Sequence, residues 1–335
     1  MKEYKIELKA LLLVGGFATR LRPLSLNRPK CLFPLQNKPI IDYLLENLAK
    51  TGCSDAILAV NNLADRIEEY LGEEKFGINL HYSLEDEPLG TGGPIKLAEE
   101  ILKEDDFLVL NGDILSFINY AELMHTHRNN PETATLTLKK VRDPTRYGVV
   151  RFSQKNRIVE FVEKPSLEEA PSKWINAGCY ALNPEILDYI PENQKVSIER
   201  QIFPKLAAEE KLLGYKYYGE WIDIGVPDDY LRANKILHLN KRERGSSISQ
   251  TASIGKKSKI LDSIIWEDTR IGENTEIIES IIGSNCIIGD QIKITNSVIA
   301  DNVKIKNGIN IASGTKIWPD KTVYKNINKE NQDIQ

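Results

Sequence analysis

Hydrophobic residues change their spacing twice along the chain, and each regime predicts a different architecture. From residue 8 to residue 113, short apolar runs alternate with stretches of helical period. Ala10 to Val14 is a branched or aliphatic run closed by Gly15-Gly16, which reads as a buried strand of a parallel sheet. Ile41, Leu44, Leu45 and Leu48 then recur at helical spacing, with Gly52 where a C-terminal cap belongs, so a helix should cover the sheet. Strands at 56–60 and 78–82, a helix near 64–72, a helix opened by Pro94 and a strand FLVLNGD ending at Asp113 complete the alternation. That order argues for βαβ units and a mostly parallel sheet.

The middle of the chain loses this alternation. Segments 133–141, 147–152, 157–163 and 174–182 are strand-like and separated by turn chemistry (RDPTRYG, SQKN, EKPS), so they should add to the sheet in antiparallel fashion. A helical stretch with Phe203, Leu206 and Ala207 follows, then strands through YKYYGEWIDIG and a helix from Pro227 to Asn240. The basic string KRERGSS marks a domain boundary.

Beyond it the spacing becomes a ladder. Aliphatic residues recur every six positions from Ile248 to Ile317, shortened to five on reaching Ile265, Ile282 and Ile299, so the larger period is seventeen. DSIIWE, ESIIGS and NSVIAD occupy equivalent places in successive units. One aliphatic every six residues means one inward side chain per face of a triangular coil, the pattern of a left-handed parallel β-helix. A sandwich of short strands would instead alternate with period two. The expected organisation is an α/β, Rossmann-like mixed-sheet domain over 1–243, the β-helix over 244–320 and a polar tail over 321–335.

Composition narrows the class without naming a chemistry. The 335 residues are 41 % hydrophobic and 27 % charged, enough for a full core and roughly two domains. A net charge of −4 carries no nucleic-acid signature. The N-terminal apolar run is too short for a signal peptide or a membrane span, so a cytoplasmic protein is expected. Cys31, Cys53, Cys179 and Cys286 form no CxxC pair, which argues against a disulfide framework and a thiolate zinc site. His125 and His127 read as surface residues of a helix.

The candidate chemistry begins where the first apolar run stops. After Gly15 and Gly16 come Arg20, Arg22, Arg28 and Lys30 with no acidic residue between them. Small residues let backbone N–H groups approach an anion and the cations offset its charge, which suits a triphosphate. Asp113 ends an apolar strand in LNGD, where a carboxylate at the carboxyl edge of the sheet could hold Mg²⁺. Asp228 and Asp229, after Pro227, suit a helix N-terminus.

The full string GGFATRLRP with the following PK resembles the signature of the sugar-1-phosphate nucleotidylyltransferases, or nucleotide-sugar pyrophosphorylases. Ala18 stands where that signature has its last glycine, and Cys31 follows Lys30 in place of proline. Alanine lacks glycine's access to positive φ, so the loop conformation is the feature this exchange bears on. The hexapeptide tail is also similar to that of many pyrophosphorylases, and the resemblance runs over residues 8 to 320. It implies attack of a sugar-1-phosphate oxygen on the α-phosphorus of a nucleoside triphosphate, with release of pyrophosphate. It gives Arg20 and Lys30 to the triphosphate, and Gly15, Gly16, Gly90 and Gly112 to the nucleotide. Asp113 and Asp223, the latter in W-x-D-I-G, fall to Mg²⁺. Gly148, Glu163, Lys164, Asn176 and Gly178 fall to the sugar phosphate. Arg22 and Arg28 are left as supporting or surface charges.

The loop EDEPLGTGGP looks most like the mannose-1-phosphate guanylyltransferase branch, which implies GTP. UTP or dTTP with glucose-1-phosphate, or another sugar-1-phosphate, is the alternative; a non-catalytic regulatory subunit of the same architecture is a second. Arg20, Lys30, Asp113, Lys164 and Asp223 are all present, which weighs against the regulatory reading. No histidine follows His238, so the tail lacks the base of a hexapeptide acetyltransferase. Its expected role is homo-oligomer assembly.

Overall fold

A computed structural model describes residues 8–61, 63–85, 87–153, 155–239 and 245–335. The basic part of the boundary string, residues 241–244, lies outside them. The chain forms two compact units, one of residues up to Gly16 with Ile41–Trp221, the other of Phe17–Ile40 with Ile222–Gln335.

The first unit is built on a ten-stranded mixed sheet. Its strands are β1 (Leu8–Leu13), β2 (Cys53–Val60), β3 (Glu74–Lys75), β4 (Ile78–Leu84), β5 (Phe107–Asn111), β6 (Ala134–Lys140), β7 (Gly148–Phe152), β8 (Ile158–Glu163), β9 (Trp174–Leu182) and β10 (Leu212–Tyr217). The order is β8-β7-β9-β5-β1-β2-β4-β3, with β6 pairing both β9 and β10. β1 is parallel to β2 on one side and β5 on the other, and β2 is parallel to β4, as the alternating pattern predicts. Leu11, Leu12, Val109 and Leu110 are buried within it, the continuous apolar run of strands covered on both faces. β9 turns the sheet antiparallel, pairing with β5 through Tyr180↔Val109 and with β6. β10 then runs parallel to β6.

Helices α1 (Ile40–Lys50), α2 (Ala64–Leu71), α3 (Gly93–Leu97), α4 (Glu99–Leu102), α5 (Tyr120–Arg128) and α6 (Phe203–Ala208) connect these strands, and α7 (Pro227–Leu239) belongs to the second unit. α5 corrects one expectation. His125 is exposed, but His127 is buried at 3 % exposure, its ring 2.9 Å from the Thr135 hydroxyl. His127 lies three and four residues after Met124 and Leu123 and shares their inward face, so the helical period that separates the two histidines sends only one to solvent.

In the second unit the ladder appears as a parallel β-helix. Ile264–Ile265 pairs with Ile281–Ile282 and then with Val298–Ile299, each step seventeen residues. Two further faces repeat the register through Ile271↔Ile288 and Ile277↔Ile294. The interior isoleucines, Ile265, Ile271, Ile277, Ile282, Ile288, Ile294, Ile299 and Ile305 among them, form one buried column. Polar ladders line the turns: Ser280 N donates to Ser263 Oγ (3.1 Å), and Ser297 N to Ser280 Oγ (3.0 Å). The serine before each II or VI pair thus satisfies the next coil's backbone, as buried donors require. The segment read as a polar tail continues the coil, since Thr322–Val323 pairs with Lys304–Ile305 and Asp333–Ile334 with Lys316–Ile317.

Candidate active site

The first unit brings the glycine pair and the NGD string to one edge. β1 and β5 are adjacent and parallel, with Leu13 opposite Asn111, so Gly15-Gly16 and Gly112-Asp113 both leave from strand carboxyl ends. Ligands in open α/β sheets bind at such ends. Gly112 N donates to Leu13 O (3.0 Å), and a Cβ on Gly112 would lie 2.4 Å from Val14 Cγ1, so this glycine is required by the close exit of two strands. Gly15 is tight against Asn61 N at 3.1 Å, whereas nothing lies within 4 Å of a Cβ built on Gly16, which faces open space.

Gly90 has φ +81, and a Cβ there would meet Val196 O at 2.3 Å. Its freedom serves a close approach of two backbone segments: Gly92 N donates to Val196 O and Val196 N to Leu89 O. Thr91 Oγ1 donates to Glu199 Oε2 (2.5 Å), which also accepts from Ser197 Oγ (2.8 Å). Glu199 lies in the π-helical turn Ile198–Ile202. Nothing in the local sequence signals this clamp on the glycine-rich loop.

The residues assigned to sugar also gather in the first unit. Gly148 and Glu163 face each other across β7 and β8, and a Cβ on Gly148 would lie 2.9 Å from Glu163 Oε2 and 2.3 Å from the Phe161 ring. Lys164 Nζ is 3.5 Å from Glu163 Oε1 with its side chain largely exposed. Asn176 Oδ1 accepts from Gly178 N (2.9 Å), and Asn176 Nδ2 donates to Tyr180 Oη (2.8 Å). That turn sits where the register of β9 shifts between Asn176 and Tyr180, and Gly178, at φ +67, packs onto Asn111 and Ile114. Sequence reasoning left Trp221 unassigned beyond the motif; its Nε1 donates to Ala177 O (3.0 Å), and its ring meets Tyr147 edge-on at 5.5 Å. Burial, and then the like charge of Glu199, raise the Glu163 carboxyl above the ordinary glutamate value, against the Lys164 cation that lowers it.

The second unit holds the cationic loop. Ala18 adopts the left-handed conformation (φ 45, ψ 41) that the signature glycine would favour, directly before the 3₁₀ turn Thr19–Leu21. Its carbonyl accepts from Leu21 N (2.9 Å) and Ser25 Oγ (2.9 Å), which hold the strained geometry. Arg20 is exposed and lines a cavity with Val226, Pro227, Asp228 and Leu231. Lys30 opens a second 3₁₀ turn, Lys30–Leu32, and its Nζ lies 3.8 Å from Asp223 Oδ1, both side chains mostly buried. Asp228 and Asp229 occupy the first turn of α7, as their position after Pro227 predicts.

Arg28 is not a loose surface charge. Its guanidinium donates to both oxygens of Glu267, with Nη1 to Oε2 at 3.3 Å, and Nη2 also reaches Ser284 Oγ at 3.2 Å. These partners lie more than two hundred residues away, so the local sequence carries no sign of the pairing.

Asp113 in the first unit and Asp223 in the second each carry carboxylate oxygens, the donor type that magnesium takes, an ion that keeps waters and uses few protein ligands. All four cysteines are free and buried, and burial pushes each thiol up to about 12. No helix among the described residues is long and apolar enough to cross a membrane.

By sequence, residues 9–240 match the nucleotidyl transferase family and residues 240–334 the GMPPB C-terminal domain. A mannose-1-phosphate guanyltransferase of Yarrowia lipolytica is 47% identical over 229 residues, 67% of this chain and 62% of that protein. The matched part of this relative is thus under two thirds of its length. A mannose-1-phosphate guanyltransferase 2 of Candida glabrata is 41% identical over 75% of this chain and 73% of its own. Among solved structures, a UDP-glucose pyrophosphorylase of Acinetobacter baumannii superposes with TM-score 0.63 at 23% identity, covering 71% of this chain and 95% of that one. This last likeness is one of fold.

Two outcomes follow from the site's geometry. Ala18→Gly relieves a left-handed alanine and is expected to stabilise the chain by up to about 1 kcal/mol, read as a higher urea midpoint. A midpoint that falls would mean that the loop does not hold this conformation. For Glu163, a raised folded-state value means that the folded chain binds its proton more tightly than the unfolded chain. Stability from this group therefore declines as pH rises through and beyond the ordinary glutamate range, up to the folded-state value. Glu163→Gln is expected to remove that decline from a pH series of unfolding free energies; an unchanged slope would assign it to another group.

Proposed function

Since the chain belongs to the nucleotidyl transferase family, we propose that it transfers a nucleotidyl group from a nucleoside triphosphate to a hexose-1-phosphate, with GTP and mannose-1-phosphate as the preferred pair. The observation that carries the reading is Lys30, held with its ammonium 3.8 Å from Asp223 on the loop whose sequence bears the family signature. The names of the relatives support the choice of base and sugar.

The reaction brings two anions together, so its barrier is largely one of repulsion and alignment. Lys30 acts as a point charge on the triphosphate, and Arg20, exposed on the same loop, offers a planar fork for bidentate phosphate contacts. Gly16 leaves open space at the end of β1, where backbone N–H groups can approach phosphate oxygens. Lys164 offers its exposed ammonium to the sugar phosphate, while Glu163 and Asn176 supply acceptor and donor groups for hydroxyls. Asp113 and Asp223 are the proposed magnesium ligands; when bound, the ion neutralises charge on the phosphates. Lys30 beside Asp223 offsets that carboxylate's charge. Homo-oligomer assembly through the β-helix belongs to the same reading, and a monomer mass at all concentrations in sedimentation equilibrium would remove it.

The reaction itself is tested by pyrophosphate release with Mg²⁺, crossing GTP, UTP, dTTP, ATP and CTP with mannose-, glucose- and N-acetylglucosamine-1-phosphate. A maximum for GTP with mannose-1-phosphate is expected; a UTP or dTTP maximum with glucose-1-phosphate would reassign the substrates, and silence from folded protein would overturn the activity. Lys30→Ala should lower kcat about 100-fold or more, Asp113→Asn should weaken the metal dependence, and Lys164→Ala should chiefly raise KM for the sugar phosphate. Near-wild-type kinetics in all three would sink the site assignment.

A further inference from the structure

The segment that carries Arg20 and Lys30 is compact with the β-helix: Phe17–Ile40 and Ile222–Gln335 form one unit. Contacts on both sides of Lys30 build that attachment. Before it, Arg28 is held bidentately by Glu267 and bonded to Ser284. Its guanidinium carbon lies 4.4 Å from the centroid of the Trp266 ring, within cation–π range. After it, Phe33 packs edge-on to Trp266 at 5.1 Å and tilted on Tyr230 at 5.4 Å, and Tyr230 Oη donates to Pro34 O. Trp266, fully buried, ties the two sides together through its Nε1 bond to Tyr230 Oη (3.2 Å).

Glu267 and Ser284 are seventeen residues apart, so they are the same position of adjacent coils. Arg28 therefore grips two rungs of a ladder rather than one flexible side chain. A third rung, Asp301, accepts from Ser284 N at 2.9 Å and extends the row. Burial alone would raise the Glu267 carboxyl, but the hydrogen bond and charge of Arg28 overcome it and hold it below the ordinary glutamate value.

Between the two anchors lies a stretch with little freedom. Pro29 precedes the turn, Leu32 N donates to Pro29 O (2.9 Å) and Phe33 N to Lys30 O (3.0 Å). The direction in which Lys30 projects is thus set by where Arg28 and Phe33 are fixed.

We propose that Glu267, a residue of the β-helix, is a positioning residue for Lys30: by clamping Arg28 over Trp266 it sets the place of the lysine that meets the triphosphate. The β-helix then supports the nucleotide site as well as any assembly. Arg28, its terminal nitrogens committed to Glu267 and Ser284, acts as a tether and not as a phosphate ligand. This inference rests on the assignment of Lys30 to the triphosphate.

A structural role alone would lower stability and leave kinetics alone, or disturb both substrates equally. Positioning of Lys30 predicts another pattern in the full-length chain. With the substrate pair that the wild type prefers, Glu267→Ala and Arg28→Lys should each lower kcat/KM for the nucleoside triphosphate about 10- to 100-fold. KM for the sugar phosphate should stay within about twofold. Lysine cannot reproduce the two-pronged contact, so charge alone should not rescue. The exchanged pair Arg28→Glu with Glu267→Arg should regain part of the loss. In a Lys30→Ala background, Glu267→Ala should add little further loss, because the group that it positions is gone. Glu267→Ala kinetics within twofold of wild type, or equal losses for both substrates, would overturn the proposal while leaving Lys30 in place. If Lys30→Ala itself turns over normally, the assignment of Lys30 fails, and the positioning role fails with it.

Discussion

The parallel pairing of β1 on both of its sides is the constraint from which the first unit follows. With β2 and β5 taking its ladder bonds, the strand can release the chain only at its carboxyl end. The release point stands directly beside that of β5, because Leu13 is level with Asn111. At two strand exits this close the Val14 side chain fills the space, and Gly112 is the result: a Cβ there would enter it. The antiparallel return of β9 past β5 then carries the Asn176–Gly178 turn onto Asn111. Loop chemistry at this edge is therefore fixed by sheet order before any ligand is considered.

The same logic does not extend to the cationic loop. After Gly16 the chain passes into the second unit, where aromatic packing replaces ladder bonds. Phe33, Tyr230 and Trp266 are each fully buried, and the two polar groups they bring inside, the Tyr230 hydroxyl and the Trp266 indole N–H, bond to each other. A buried tyrosine or tryptophan left without a partner would cost about 1–3 kcal/mol, and here the indole N–H donates to the tyrosine oxygen while that hydroxyl donates to Pro34 O, so both polar ends are satisfied.

How much of this was legible in the sequence depends on the range of the interaction. The coil is legible because each of its rungs repeats the last: seventeen residues on, an isoleucine meets an isoleucine and a serine meets a serine. The glycines were legible as positions of need but not as to cause. Gly90 and Gly148 were assigned to ligands, and what occupies their missing Cβ positions is protein, the Val196 carbonyl and the Phe161 ring. Ala18 shows the converse, a left-handed residue that sequence preference would not place there, kept by two hydrogen bonds to its carbonyl. The Arg28–Glu267 pair spans 239 residues and has no periodic or motif signal, so only the folded chain reveals it. His127 was misjudged for a simpler reason: helical spacing separated it from His125 but did not say which of the two faced the sheet.

The anchor on Arg28 is only as stiff as the ladder beneath it, and the ladder's construction bears on that. In a stacked coil each unit contacts only its neighbours, so rigidity at one rung comes from the rungs on either side. The rung of Glu267 is bounded below and above by backbone bonds, Ser253 N to Thr269 O and Arg270 N to Cys286 O, and Thr269 also accepts from Cys286 N through its hydroxyl. The next rung is fastened in turn, because Ser284 N is held by Asp301 and Asn285 N by Glu267 O. An exposed ion pair between two mobile side chains contributes little, chiefly because ordering both ends costs as much as their attraction returns. Here one end is ordered already, by the interior isoleucines and the serine and threonine ladders. The backbone beneath Glu267 is thus already fixed, and Trp266 lies beneath the Arg28 guanidinium and helps to fix that end. A surface contact gains directional force when one of its partners belongs to a repeat.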